Sequence, residues 1–144
     1  MTNACCDRRR FLRTSAVGAA GVGGVALLSS CGSGGSGEAP APNPGAPWNE
    51  VLSASELPVG ESAEVAIGED RILLHRSAET EVHAFSAVCT HQGCAVAPEP
   101  ERFACPCHGS VFNLETGAPE GGPAREPLPS YPAEINGEMI RVRA

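Results

Sequence analysis

Hydrophobic and polar positions divide the chain into three unlike stretches. Residues 14–30 carry no charge and are dominated by Ala, Gly and Val. Residues 32–47 are Gly/Ser-rich and then Pro/Ala-rich, with one charge at Glu38, and cannot bury a core. From Trp48 onward, short apolar runs alternate with polar breaks. Val65-Ala66-Ile67, Arg71-Ile72-Leu73-Leu74 and Val82-His83-Ala84-Phe85 read as strands, separated by Gly68-Glu69-Asp70 and Ala78-Glu79-Thr80. Near the end, Ala133-Glu134-Ile135 and Met139-Ile140-Arg141-Val142 flank Asn136-Gly137, which predicts a type I′ hairpin. No sustained helical periodicity and no internal repeat is present, apart from a possible helical turn at 53–57. The pattern predicts an all-β domain, an antiparallel sandwich or small barrel.

The apolar stretch follows Asp7-Arg8-Arg9-Arg10-Phe11-Leu12-Arg13, and a basic patch before an apolar run reads as an export signal. Arg8, Arg9, Phe11 and Leu12 resemble a twin-arginine signal, with Asp7 in place of the usual Ser or Thr. Leu28-Ser29-Ser30-Cys31 resembles a lipobox, in which Cys31 becomes the lipid-bearing first residue. An ordinary export signal with an incidental Cys31 and an uncleaved span are the alternatives. Four glycines in about 17 uncharged residues are marginal for spanning a bilayer. The expected organisation is a signal at 1–30, a lipidated tether at 31–47 and a domain at 48–144, on the outer face of the cytoplasmic membrane.

Charge narrows the partners. The full chain has ten arginines, no lysine and 17 carboxylates, for a net charge of −7. Beyond residue 30 there remain six arginines against 16 carboxylates, a net −10. An acidic chain with 4% aromatics is unsuited to general nucleic-acid binding. It favours a partner with a basic docking face and a salt-sensitive association.

The chemistry lies in Cys89-Thr90-His91-Gln92-Gly93-Cys94 and Cys105-Pro106-Cys107-His108-Gly109-Ser110. Each is a Cys/His turn after a β-like run, and side by side they could offer two thiolates and two imidazoles to one metal site. Structural zinc is the bland alternative. However, C-x-H with C-x-x-H is not its usual spacing, and six metal-capable groups exceed the four it needs. The two motifs together resemble the Rieske iron–sulfur family. That resemblance implies one [2Fe-2S] cluster per chain, with Cys89 and Cys105 on one iron and His91 and His108 on the other. It also implies a Cys94–Cys107 disulfide between the loops, and a covering segment at Gly122-Pro123-Ala124. The seven cysteines then divide into two lost with the signal (Cys5 and Cys6), one lipidated, two metal-binding and two paired. The disulfide requires an oxidising compartment, and a twin-arginine route exports folded proteins, so the two ends of the sequence imply the same location.

Imidazole ligation leaves the oxidised cluster formally neutral, where four thiolates would make it −2. The potential of such centres is therefore raised, to between about −150 and +300 mV. Electron uptake can be coupled to a proton at a solvent-reachable imidazole. By the resemblance, Ser110 donates to a cluster sulfur, and Phe112 stands where the highest-potential members carry a tyrosine. His75 and His83 lie in β-like runs with no obvious partner, while Trp48 and Tyr131 are read as packing residues. Tyr131, near the proline-rich segment, has a weaker reading as a neighbour of the cluster. The functional expectation is a non-catalytic electron carrier, passing electrons to a redox protein. Its alternative is the redox subunit of a larger oxidoreductase, either a molybdoenzyme of the arsenite-oxidase kind or a quinol-oxidising cytochrome bc complex. The bc reading is disfavoured by the weak apolar stretch and the short cluster-binding region, and a cytosolic oxygenase ferredoxin by the signal, Cys94 and Cys107.

Overall fold

The computed structural model describes Asn43 and residues 45–144. The arginine patch, the apolar stretch, Cys31 and the tether as far as residue 42 lie outside the described residues. Among the described residues there are eleven strands and no helix, and none is long and apolar enough to cross a membrane as a helix.

All pairings are antiparallel and form three sheets. The first joins β1 (Asn49–Ser53), β11 (Met139–Val142) and β10 (Ala133–Asn136), in that order. The second runs β2 (Ser62–Ile67), β3 (Asp70–Ala78), β4 (Glu81–Ser86) and β9 (Ser130–Tyr131). The third runs β5 (Ala97–Pro98), β6 (Phe103–Cys105), β7 (Ser110–Phe112) and β8 (Pro119–Gly121). The β10–β11 hairpin lies where Asn136-Gly137 predicted one, but Asn136 pairs with Met139, so Gly137 and Glu138 form the two-residue loop. Gly137, at φ +61°, takes the first loop position, so the turn is shifted by one residue from the expectation. The turn expected at 53–57 forms as Glu56 N–H donates to Ser53 O at 2.9 Å, while the Glu56 carboxylate accepts the Ser53 N–H at 3.0 Å.

The β3–β4 hairpin organises everything else, because both of its faces are covered. Leu73 and Phe85, directly opposite each other, belong to one core with Ala87, Val96, Phe103, Phe112 and Leu128. Ile72, Leu74, Val82 and Ala84 belong to a second core with Leu57, Tyr131, Ile140 and Val142. A strand buried on both sides needs no polar alternation, which explains the unbroken Ile72-Leu73-Leu74. The first core carries the cysteine loops, and the second is the base.

The buried polar side chains of β3 have partners within the base. Arg76 is 8% exposed, and its guanidinium donates to Ala54 O (2.6 Å), Leu57 O (3.0 Å), Ala78 O (3.3 Å), Glu79 O (3.0 Å) and the Glu79 carboxylate (3.1 Å). It holds the 54–57 loop against the bulged end of β3. His75 and His83 are cross-strand partners with rings stacked at 6.4 Å, bonded to Ser62 Oγ and Ser77 Oγ respectively, each at 3.0 Å. Tyr131 is buried in the base core and bonded to Ser86; burial, then nearby Asp70, push its hydroxyl above the ordinary range. Its packing role holds, and it is a member of the base core, not the one around the cysteine loops. Trp48 lies beneath the guanidiniums of Arg143 (4.5 Å) and Arg141 (5.1 Å).

Candidate metal centre

The two cysteine turns are built alike. Gly93 N–H donates to Cys89 O at 2.8 Å, and Gly109 N–H donates to Cys105 O at 3.1 Å. Both glycines lie at φ +73°, a left-handed position at which a side chain would be strained. The first loop is closed by Cys89 N–H to Cys94 O at 2.8 Å and by the Val88–Ala95 bridge. The second is closed by the pairing of Cys105 with Ser110 across β6 and β7. The turns differ in the placement of the other groups. Histidine stands two residues after Cys89 but three after Cys105, and the second cysteine stands five residues after Cys89 but two after Cys105.

These offsets sort the chemistry by depth. Cys89 and Cys105 are free thiols, 3% and 2% exposed, and count among the core residues. They lie close enough to interact; burial foremost, and Cys89 in addition, push the Cys105 thiol up, although Cys107 and His108 backbone donors oppose the shift. His91 and His108 bring their rings together edge to face, with centroids 4.9 Å apart, His91 half-buried and His108 exposed. Cys94 and Cys107 form a disulfide between the loops, with Cα atoms 6.5 Å apart. The sulfurs of Cys94, Cys105 and Cys107 lie within 4.8 Å of one another, but two of them are spent on that bond. This trio is therefore not a three-thiolate site.

A third segment closes over the loops. Ser110 is fully buried, and its Oγ accepts the Ala124 N–H at 3.2 Å. Thr90 Oγ1 donates to Glu126 O at 2.8 Å, and Leu128 N–H to Gly117 O at 2.9 Å. A Cβ on Gly122 would lie 2.5 Å from Gly109 O and from Ser110 Cα, so only glycine permits this approach. Residues 122–126 are thus a strap pinned to both cysteine loops. Thr90 is the anchor that sequence reasoning missed, because its partner lies 36 residues away and nothing local marks it. Phe112 is fully buried beside Phe103 and offers no donor.

The donor set fits a binuclear iron–sulfur centre. Two adjacent thiols in an apolar, water-poor pocket can hold one iron, and two adjacent imidazoles at the surface can hold another. The disulfide ties together the loops that carry them.

Comparison with known proteins agrees with this chemistry. The family model of the Rieske [2Fe-2S] domain matches residues 47–132. The chain is 39% identical over 92 residues to the cytochrome b6-f complex iron-sulfur subunit of Chlorobaculum thiosulfatiphilum, covering 62% of this chain and 50% of that protein. It is 42% identical over 57 residues to a putative respiratory nitrate reductase subunit Rieske of Haloferax mediterranei, covering 38% of this chain and 26% of that one. The solved plasma membrane Rieske protein PetC3 of Synechocystis PCC 6803 superposes with a TM-score of 0.60 at 27% identity, covering 67% of this chain and 99% of that one. The chain therefore spans about half the length of the first of these relatives, and about a quarter of the second.

Proposed function

The chain belongs to the Rieske [2Fe-2S] domain family, and on that premise we propose that it passes single electrons between redox proteins while tethered outside the cytoplasm. The observation that carries this reading is the pairing of two buried thiols with two surface imidazoles on disulfide-linked loops. Cys89 and Cys105 would hold the inner iron, and His91 and His108 the outer one. When bound, a [2Fe-2S] cluster supplies one-electron exchange at a potential raised by its neutral imidazole ligands. The protein's residues then set access. The thiols are screened by Phe103, Phe112 and Val96, whereas exposed His108 and half-buried His91 face solvent or a partner. Because Ser110 Oγ accepts from Ala124 N–H, its own hydrogen remains available to donate to a cluster sulfide, which stabilises the reduced state.

The twin-arginine pattern and Cys31 support export and lipid anchoring, and the resemblance to a plasma membrane Rieske protein supports membrane association. The net −10 beyond residue 30 supports a partner whose docking face is basic in aggregate. The domain is read as 48–144, after a tether at 31–47 and a signal at 1–30. The decisive experiment is an EPR spectrum of the reduced protein. A mean g-value below that of all-cysteine clusters is expected, and a value matching them would overturn the ligand assignment. Cys31→Ala should release the protein from the membrane fraction, and retention there would overturn the lipid anchor.

A second reading, the redox subunit of a larger oxidoreductase, is favoured by the similarity to subunits of a cytochrome b6-f complex and of a nitrate reductase. The b6-f likeness strengthens the bc reading that the sequence features alone disfavoured. Copurification with a stoichiometric large partner would support this reading over the free carrier.

A further inference from the structure

The strap that closes over the cysteine loops carries an exposed guanidinium, Arg125. Its backbone is held on both sides. Ala124 N–H is bonded to Ser110 Oγ on one loop, and Glu126 O accepts from Thr90 Oγ1 on the other. The backbone that carries this charge is therefore held against both loops, next to Thr90 of the first and Ser110 of the second. Arg71, Arg76, Arg102 and Arg141 each form an ion pair with a glutamate. Among the described residues, Arg125 has no ion pair, although Glu126 is its neighbour and Glu120 lines the same cleft of about 260 Å³. The Glu120 carboxylate instead accepts the Asn113 amide at 2.8 Å. In a region with ten more carboxylates than arginines, a cation without an ion pair, carried on the strap that is bonded to both cysteine loops, stands against the prevailing charge.

We propose that Arg125 is a specificity-determining residue of the docking surface, which binds a carboxylate on the protein redox partner and so fixes that partner over the histidines. The inference rests on the electron-transfer reading above. The acidic surface draws a partner that is basic in aggregate, while Arg125 selects the one orientation that brings an anionic group to the strap.

The test uses the cluster-loaded full-length protein and two oxidants of opposite charge. Ferricyanide or tris(phenanthroline)cobalt(III) takes one electron from the reduced protein, leaving both cluster irons ferric and the oxidant reduced by one electron. At low ionic strength Arg125→Gln should slow oxidation by ferricyanide about three- to tenfold, and leave the cobalt rate unchanged or raised. The difference should vanish near 1 M salt, where the Debye length is about 3 Å. Arg125→Lys should restore the rate, and Arg102→Gln should change neither. A readout independent of turnover is the ¹⁵N spectrum of arginine-labelled protein titrated with redox-inert hexacyanocobaltate(III). The side-chain Nε–H signal that is lost in Arg125→Gln should shift before those of other arginines. Equal effects on both oxidants, no effect on either, or no shift of that signal would overturn the role of Arg125. A wild-type protein that neither oxidant can oxidise would instead overturn the electron-transfer reading itself.

Discussion

The two cores on either side of the β3–β4 hairpin are built by different means. The base relies on backbone ladders: β2 and β3 pair over six registers, and β10 and β11 over four. Its core is aliphatic, apart from Tyr131. The region around the cysteine loops has strands of two or three residues, too short to be stable as isolated ladders. Three phenylalanines, a disulfide and the strap bonds fill that deficit, before any contribution from a cluster. Regular pairing spreads the stability of the base along its ladders, with the buried Arg76 as its one concentrated point among the groups described above, whereas the tip depends on a few groups clustered around its cysteine loops. The edge-to-face contact of Phe85 with Phe103 at 5.9 Å joins the hairpin to the tip, so the base supplies the platform on which the loops are held.

The comparison can be broken at either end. The largest effect is expected at Arg76, in the base. Arg76→Met removes the donor to four carbonyls and should cost about 3 kcal/mol or more in chemical denaturation. The visible spectrum of the folded variant should match wild type. An altered spectrum would show that the tip is not insulated from the base.

Replacing both Cys94 and Cys107 by Ser should act on the other side. The lost crosslink spans 13 residues and should cost about 3 kcal/mol by the chain-entropy estimate. The cluster should bleach before Trp48 fluorescence reports loss of the base. Simultaneous loss of both signals would mean that the two cores unfold as one unit.

A smaller effect sharpens the chemistry of the tip alone. Phe112→Tyr adds a hydroxyl donor to the core that holds the buried thiols and should raise the midpoint potential by some tens of millivolts, the equivalent of about 1 kcal/mol. An unchanged or lower potential in protein-film voltammetry would refute the position assigned to Phe112.

The smallest effect is a pH dependence of the base strands. Burial, then the neighbouring charge on His83, lower the His75 pKa from 6.5, although Glu115 and a Glu61 backbone group act the other way. The unfolded chain therefore binds this proton more readily than the folded one. The stability contributed by neutral His75 is fully present above about pH 6.5 and is lost as pH falls from there through the lowered folded value. Denaturation midpoints at pH 7 and pH 5 should lie closer together in His75→Gln than in wild type.

Most of the site was legible along the chain, because its information is local. C-x-H and C-x-x-H place each cysteine and histidine in one tight turn, and the glycine that closes each turn sits in the same short string. The β runs were legible for the same reason, since period and turn residues act over a few positions. The turn at Gly137-Glu138 was misplaced by one residue because loop register depends on which residues pair across the hairpin. His75 and His83 looked unpartnered because their stacking is a cross-strand relation. Thr90 gave no local sign of its position, since its partner lies 36 residues away, and Gly122 was placed over the loops by the resemblance alone.

By itself, then, the sequence determined the all-β class, the two Cys/His turns and the acidic character of the domain. Composition, strand period and motif spacing are properties of neighbouring residues, and these three features need nothing more. The tertiary structure alone decided how depth separates the thiols from the imidazoles, how the hairpin divides two cores, and where the strap holds its arginine. Each of these depends on contacts between segments far apart in the chain, which only packing brings together.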